Sequence, residues 1–83
     1  MSYAYPQPAK NTLVFNFELS SAAAVKIYVY NISGIPVAVF EKPGIAGYNN
    51  PGFDISQFPP GVYYYIIKAG DKKFSPDKFL VER

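Results

Sequence analysis

Residues 58–70 read FPPGVYYYIIKAG. Successive side chains of an extended strand point to opposite faces. Tyr63, Tyr65 and Ile67 therefore share one face, and Tyr64 and Ile66 take the other. Pro59, Pro60 and Gly61 punctuate the entry, while Ala69-Gly70-Asp71 reads as a closing hairpin turn. A strand that is apolar on both faces belongs near the middle of a sheet. We read it as a central strand with Tyr63, Tyr65 and Ile67 against the core.

Period-two patterning extends outward from it in both directions. In TLVFNFEL (12–19), Leu13, Phe15 and Phe17 alternate with Val14, Asn16 and Glu18, the mark of a half-buried strand. In AVKIYVYN (24–31), Val25, Ile27 and Val29 point one way and Lys26, Tyr28 and Tyr30 the other. A turn is predicted at Ile32-Ser33-Gly34-Ile35, where Gly34 permits a positive φ. Pro36 then starts PVAVF, with Val37 and Val39 expected inward, and Pro43-Gly44 is expected to turn the chain again. Residues 45–54 (IAGYNNPGFD) predict a bulged or interrupted strand. KKFSPDKFLVE (72–82) returns as the last strand, with a break at Pro76, which lacks a ladder donor. With a short strand around Tyr3–Tyr5, the count is six or seven. SSAAAV (20–25) has helical propensity but is too short to nucleate a helix. The expected fold is an all-β, immunoglobulin-like antiparallel β-sandwich of about seven strands.

Composition bounds the function. Eighty-three residues make one small domain, which buries about 60–65% of its unfolded surface. Its core is nonetheless rich, since 49% of residues are apolar and 18% aromatic. The chain has no cysteine and no histidine, which excludes a Ser-His-Asp triad, Cys-His catalysis and the usual zinc ligand sets. A net charge of +2, dispersed along the chain, gives no nucleic-acid footprint. No apolar run reaches the roughly 18–20 residues that span a bilayer, so no membrane insertion is expected. No signal peptide is read at the N-terminus. Residues 1–2 are read as a start ahead of a domain covering 3–83, itself part of a longer protein.

Each chemical motif has a structural alternative. Tyr28, Tyr30, Tyr48 and Tyr64 would form a stacking platform for sugars or bases if they converge; strand packing also explains their positions. Tyr63, just after Gly61, is placed to bond its hydroxyl to an upstream backbone group, a sandwich corner device. Glu18, Glu41, Asp54, Asp71, Asp77 and Glu82 occur singly, without the D-x-D-x-D cluster of a calcium loop. No catalytic residue, metal ligand or cofactor site is assigned. Lys72-Lys73 reads as an exposed pair, and lysines beside the last strand guard an edge against aggregation.

Four landmarks occur in order: YPQPAKNTLVF (5–15), VKIYVYNISGIPV (25–37), FDISQFPPGVYYYII (53–67) and KFLVER (78–83). Together they resemble the C-terminal sorting domain of proteins exported by the type IX secretion system. They are also similar to the immunoglobulin-like module of the flagellar hook-capping protein. Tyr5, Pro6, Pro8, Ala9, Lys10 and Leu13 match the family's opening. Tyr30, Gly34 and Val37 match its second landmark, and Asp54, Ile55, Ser56, Gly61, Val62 and Tyr63 its third. Gln7 replaces the usual Asn, Asn31 the usual Asp, and Ile35-Pro36 stands where a basic residue often follows the glycine. The resemblance implies a non-catalytic handle at the end of a secreted cargo, with no cofactor; the oligomeric state is left open, with a monomer favoured. Proteins of the secretion machinery would recognise it in the periplasm and pass it through the outer membrane to the cell surface or medium. The expected recognition segment is Lys78, Phe79, Leu80, Val81 and Arg83. Phe79 and Val81 would face the core, and Lys78, Leu80 and Arg83 would be read. An accessible backbone edge on that strand would suit strand addition. The rivals are a carbohydrate-binding module and a structural spacer.

Overall fold

The computed structural model describes residues 2–83. Nine strand segments are present among them: β1 (Ser2–Tyr5), β2 (Thr12–Leu19), β3 (Ala23–Asn31), β4 (Pro36–Gly44), β5 (Gly47–Asn49), β6 (Gly52–Asp54), β7 (Gly61–Ala69), β8 (Lys72–Lys73) and β9 (Asp77–Val81). One sheet is ordered β1-β2-β5, with β6 also on β2; the other is β4-β3-β7-β8, with β9 also on β7. β5 and β6 are thus two halves of one interrupted strand, and β8 and β9 two halves of another. Pro51 and Pro76, which have no N–H, lie in the two interruptions. Counted this way the molecule is a seven-stranded antiparallel β-sandwich.

The alternating pattern places the core between the sheets. Leu13, Phe15, Phe17 and Leu19 from β2 meet Val25, Ile27 and Val29 from β3 and Tyr63, Tyr65 and Ile67 from β7, all buried. Phe15 is the hub. Its ring lies 4.9 Å from Tyr65 and 6.3 Å from Phe79 in edge-on geometry, which suits aromatic quadrupoles. β7 lies centrally, between β3 and the β8–β9 strand, as its sequence indicates. The Tyr63 hydroxyl donates to the Pro59 carbonyl and so closes the corner before the strand.

Two expectations for β4 fail. Val37 and Val39 are exposed, while Ala38 and Phe40 pack on the core. The cause is register: Phe40 lies opposite inward-facing Ile27, and Val39 opposite outward-facing Tyr28. An irregularity between Val29 and Tyr30 separates this parity from the one counted from Pro36. Phe40 stacks on Phe53 at 4.4 Å, a larger apolar contact than a valine offers. Pro43-Gly44 does not turn the chain either; both residues continue β4. Gly44 is buried, and a Cβ there would come within 2.6 Å of Val25 Cγ2 and 2.8 Å of Leu19 Cδ1. Close packing, rather than turn geometry, demands this glycine.

The turn at 32–35 forms as expected, with Gly34 at φ 83°. Asn31 holds this turn: its Oδ1 accepts from the Ser33 and Ile35 N–H groups at 2.9 and 3.0 Å. Asp54 does the same for Ser56 at 2.8 Å, and that N–H, followed by the Ser56 hydroxyl, holds its carboxyl below the usual carboxylate range.

Phe15→Ala should cost about 3–5 kcal/mol in urea-induced unfolding, a large share of the stability of a domain this size. Burial, with a smaller contribution from Asp77, pushes the Tyr65 phenol up to about 12 from its ordinary 10.0, and the Ser2 hydroxyl beside it offsets part of this. Between those values the unfolded chain ionises Tyr65 while the native chain does not. Unfolding then releases a proton, so native stability falls as pH rises through that window. Thermal melts should show a steeper loss for the wild type than for Tyr65→Phe over this range.

Candidate recognition surface

The last strand is bonded on both of its sides. On one side β9 pairs with β7, Tyr63 opposite Phe79 and Val62 opposite Leu80. On the other, the backbone groups of Lys78 and Leu80 point away from β7. Leu80 N–H donates to Gln7 Oε1 at 3.1 Å, and Gln7 Nε2 donates to the Lys78 carbonyl at 3.3 Å. The Ala9 N–H donates to the Leu80 carbonyl at 2.7 Å, and the Glu82 N–H to the Ala9 carbonyl at 2.9 Å. The Lys78 N–H is taken by Asp77 Oδ1 at 2.8 Å. The Gln7 carboxamide thus stands in for a peptide group between Pro6 and Pro8, which have no N–H to offer. An accessible backbone edge on β9 was expected, and this arrangement contradicts it. Pairing there would require the 7–9 segment to leave.

The five segment residues divide by face. Phe79 and Val81 are buried, as expected. Lys78 and Leu80 are exposed on the outer face of the β4-β3-β7-β9 sheet. Arg83 is exposed, but its guanidinium is engaged: Nη2 donates to the Ile55 and Lys10 carbonyls at 2.7 and 2.8 Å, and Nη1 to the Phe58 carbonyl. It clamps the end of the strand to the DIS turn and to the segment after Ala9. No local pattern of residues signals the Gln7 or Arg83 roles beyond the two prolines that flank Gln7.

Lys78 and Leu80 continue an apolar face. Lys78 lies opposite Tyr64 and Leu80 opposite Val62; Tyr64 in turn lies opposite Tyr30, and Ile66 opposite Tyr28. Tyr64 and Leu80 are 41% and 37% exposed. The four candidate tyrosines do not form one platform. Tyr28, Tyr30 and Tyr64 share this face, whereas Tyr48 lies on the other sheet, opposite Glu18. Among the described residues no three carboxylates, cysteines or histidines gather into a metal site.

Arg83→Ala should lower stability by roughly 1–2 kcal/mol in urea unfolding, the scale of charge-assisted hydrogen bonds on an exposed surface. Arg83→Lys should recover only part of this, because one ammonium cannot serve three carbonyls in a fixed fork.

The family model described as a secretion system C-terminal sorting domain matches residues 3–82. No curated protein and no solved structure gives a significant match. The match spans nearly the whole sandwich, from the strand that opens it to the residue before the Arg83 clamp. The chain therefore belongs to the C-terminal sorting domains, the signals that direct proteins into type IX secretion.

Proposed function

We propose that this domain is a monomeric, non-catalytic export handle whose last strand is recognised through side chains. Its strand connectivity we read as immunoglobulin-like. In this reading Lys78 and Leu80 contact proteins of the export machinery, together with Val62 and Tyr64 beside them. Phe79 and Val81 hold the strand in register, and Arg83 fixes its end. One observation carries the reading: the outward N–H and C=O groups of β9 are already bonded to Gln7, Ala9 and Asp77. A partner that meets the folded domain at this strand finds an exposed cation and an apolar side chain there, with no open ladder. Routing runs from the periplasm across the outer membrane to the surface or medium.

The test fuses residues 3–83 to the C-terminus of a periplasmic fluorescent reporter in a bacterium with a working type IX system. The wild-type fusion should reach the surface or medium. Lys78→Glu/Leu80→Glu, which changes only exposed side chains of β9, should accumulate in the periplasm while its circular dichroism and melting remain near wild type. Export of the folded double variant at the wild-type level would refute side-chain recognition at this strand.

A further inference from the structure

The sheet that ends in a sealed β9 begins in an open β4. The Ala24 carbonyl accepts from Gly70 N–H on the β7 side at 3.2 Å, and backbone direction alternates along an antiparallel strand. Ala24, Lys26 and Tyr28 therefore turn their backbone groups to β7, and Val25 and Ile27 turn theirs to β4. Lys42 and Phe40, opposite Val25 and Ile27, bond back to β3. Val39, Glu41 and Pro43 face away. β4 ends its sheet, and among the described residues no turn, loop or side-chain hydrogen bond reaches 36–44.

Pro43 has no N–H to display, but Val39 and Glu41 each present a free N–H and C=O. This window is also apolar: Val37 and Val39 are 43% and 50% exposed. Soluble domains usually blunt such an edge with charge, proline or a bulge. Here proline stands only at the ends, at Pro36 and Pro43, the irregularity lies beside Tyr30, and the charges are the adjacent pair Glu41 and Lys42, which leaves the stretch from Val37 to Val39 unguarded. The other sheet offers no comparable edge, since β1 has four residues and β5 and β6 three each.

We propose that β4 is the docking edge for an extended strand of an export-machinery protein, which adds to the sheet through Val39 and Glu41. The inference rests on the export reading above. The expected strand places an apolar side chain beside Val39, on the face that Tyr28 continues on β3, and a carboxylate toward the end rich in lysine. Lys42 lies at that end on β4 itself, with Lys26 and Lys68 behind it on β3 and β7; Glu41 is the acid among them and pairs with Lys26 at 3.9 Å. An acidic strand complements these cations. A second copy of this chain carries the same lysines and the same net charge of +2, so it matches them less well. The partner's strand would extend the face that already includes Tyr64, Leu80 and Lys78, and would so join both recognition features on one surface.

Val39→Pro removes the outward N–H without removing a bond to β3, a placement that edge strands tolerate. Val39→Ala keeps the N–H and shortens the side chain, and Val39→Lys puts a charge on the edge. In the reporter fusion, with folding checked by thermal melts, Val39→Ala should export within about twofold of wild type. Val39→Pro and Val39→Lys should fall about tenfold or more, since an added strand depends on main-chain bonds. If Val39→Pro does not fold, Val39→Lys against Val39→Ala tests the edge by charge instead, and equal export of these two would overturn the proposal. Equal export of the folded variants would overturn the proposal, as would an equal loss in Val39→Ala, which would indicate side-chain contact alone. A concentration-dependent dimer of the isolated domain that Val39→Pro abolishes, without loss of export, would assign the edge to a second copy instead. Export of Val39→Pro together with retention of Lys78→Glu/Leu80→Glu would sink the edge and leave the sorting reading intact. Failure of the wild-type fusion would sink the sorting reading itself.

Discussion

The N-terminal segment belongs to both sheets, and the closure of the sandwich depends on it. β1 pairs with β2 in one sheet. A few residues later Ala9 bridges Val81 in the other, in parallel. Ala9 is fully buried, and its own N–H and C=O occupy the outer edge of β9. Buried backbone groups need partners, and those of Ala9 find them on the last strand. Across a stretch that holds two prolines, Gln7 supplies from its side chain the donor and acceptor that the main chain cannot.

That constraint shapes what a sorting domain can offer. A last strand with its outer edge open would present unpaired N–H and C=O groups to any other strand. With its outer edge sealed, β9 displays side chains, Lys78 and Leu80 outward, while Phe79 and Val81 are buried. Arg83 adds to the same end, because its guanidinium joins three carbonyls from two separate segments. The sheet's other border is built differently, with prolines at its ends and valines in its middle. The two borders of one sheet thus differ in the chemistry they present.

Much of this architecture is legible in the residues. The alternation in VYYYIIKA placed Tyr63, Tyr65 and Ile67 inward, and the breaks at Pro51 and Pro76 fell where missing N–H groups interrupt a ladder. The corner bond of Tyr63 was likewise readable from its place after Gly61. β4 was misread because parity counted from Pro36 does not survive the irregularity at Val29–Tyr30; a one-residue slip exchanges the two faces. Gly44 looked like a turn residue because glycine has two uses, a positive φ and the absence of a Cβ, and only the neighbours tell which applies. The recognition segment was legible as alternation, yet the sealing of its edge was not. Gln7 is some seventy residues from Leu80, and nothing in the local sequence tells a glutamine that bonds the last strand from one that faces water.

The most direct measurement of the central claim is amide hydrogen exchange, followed residue by residue on the isolated domain. A sealed β9 predicts that the Leu80 and Glu82 amides exchange slowly, as that of Phe79 does on the β7 side, while Val39 and Glu41 on the open edge exchange quickly. Fast exchange at Leu80 and Glu82, matching Val39, would mean that Gln7 and Ala9 do not hold the last strand in solution, and would contradict the account.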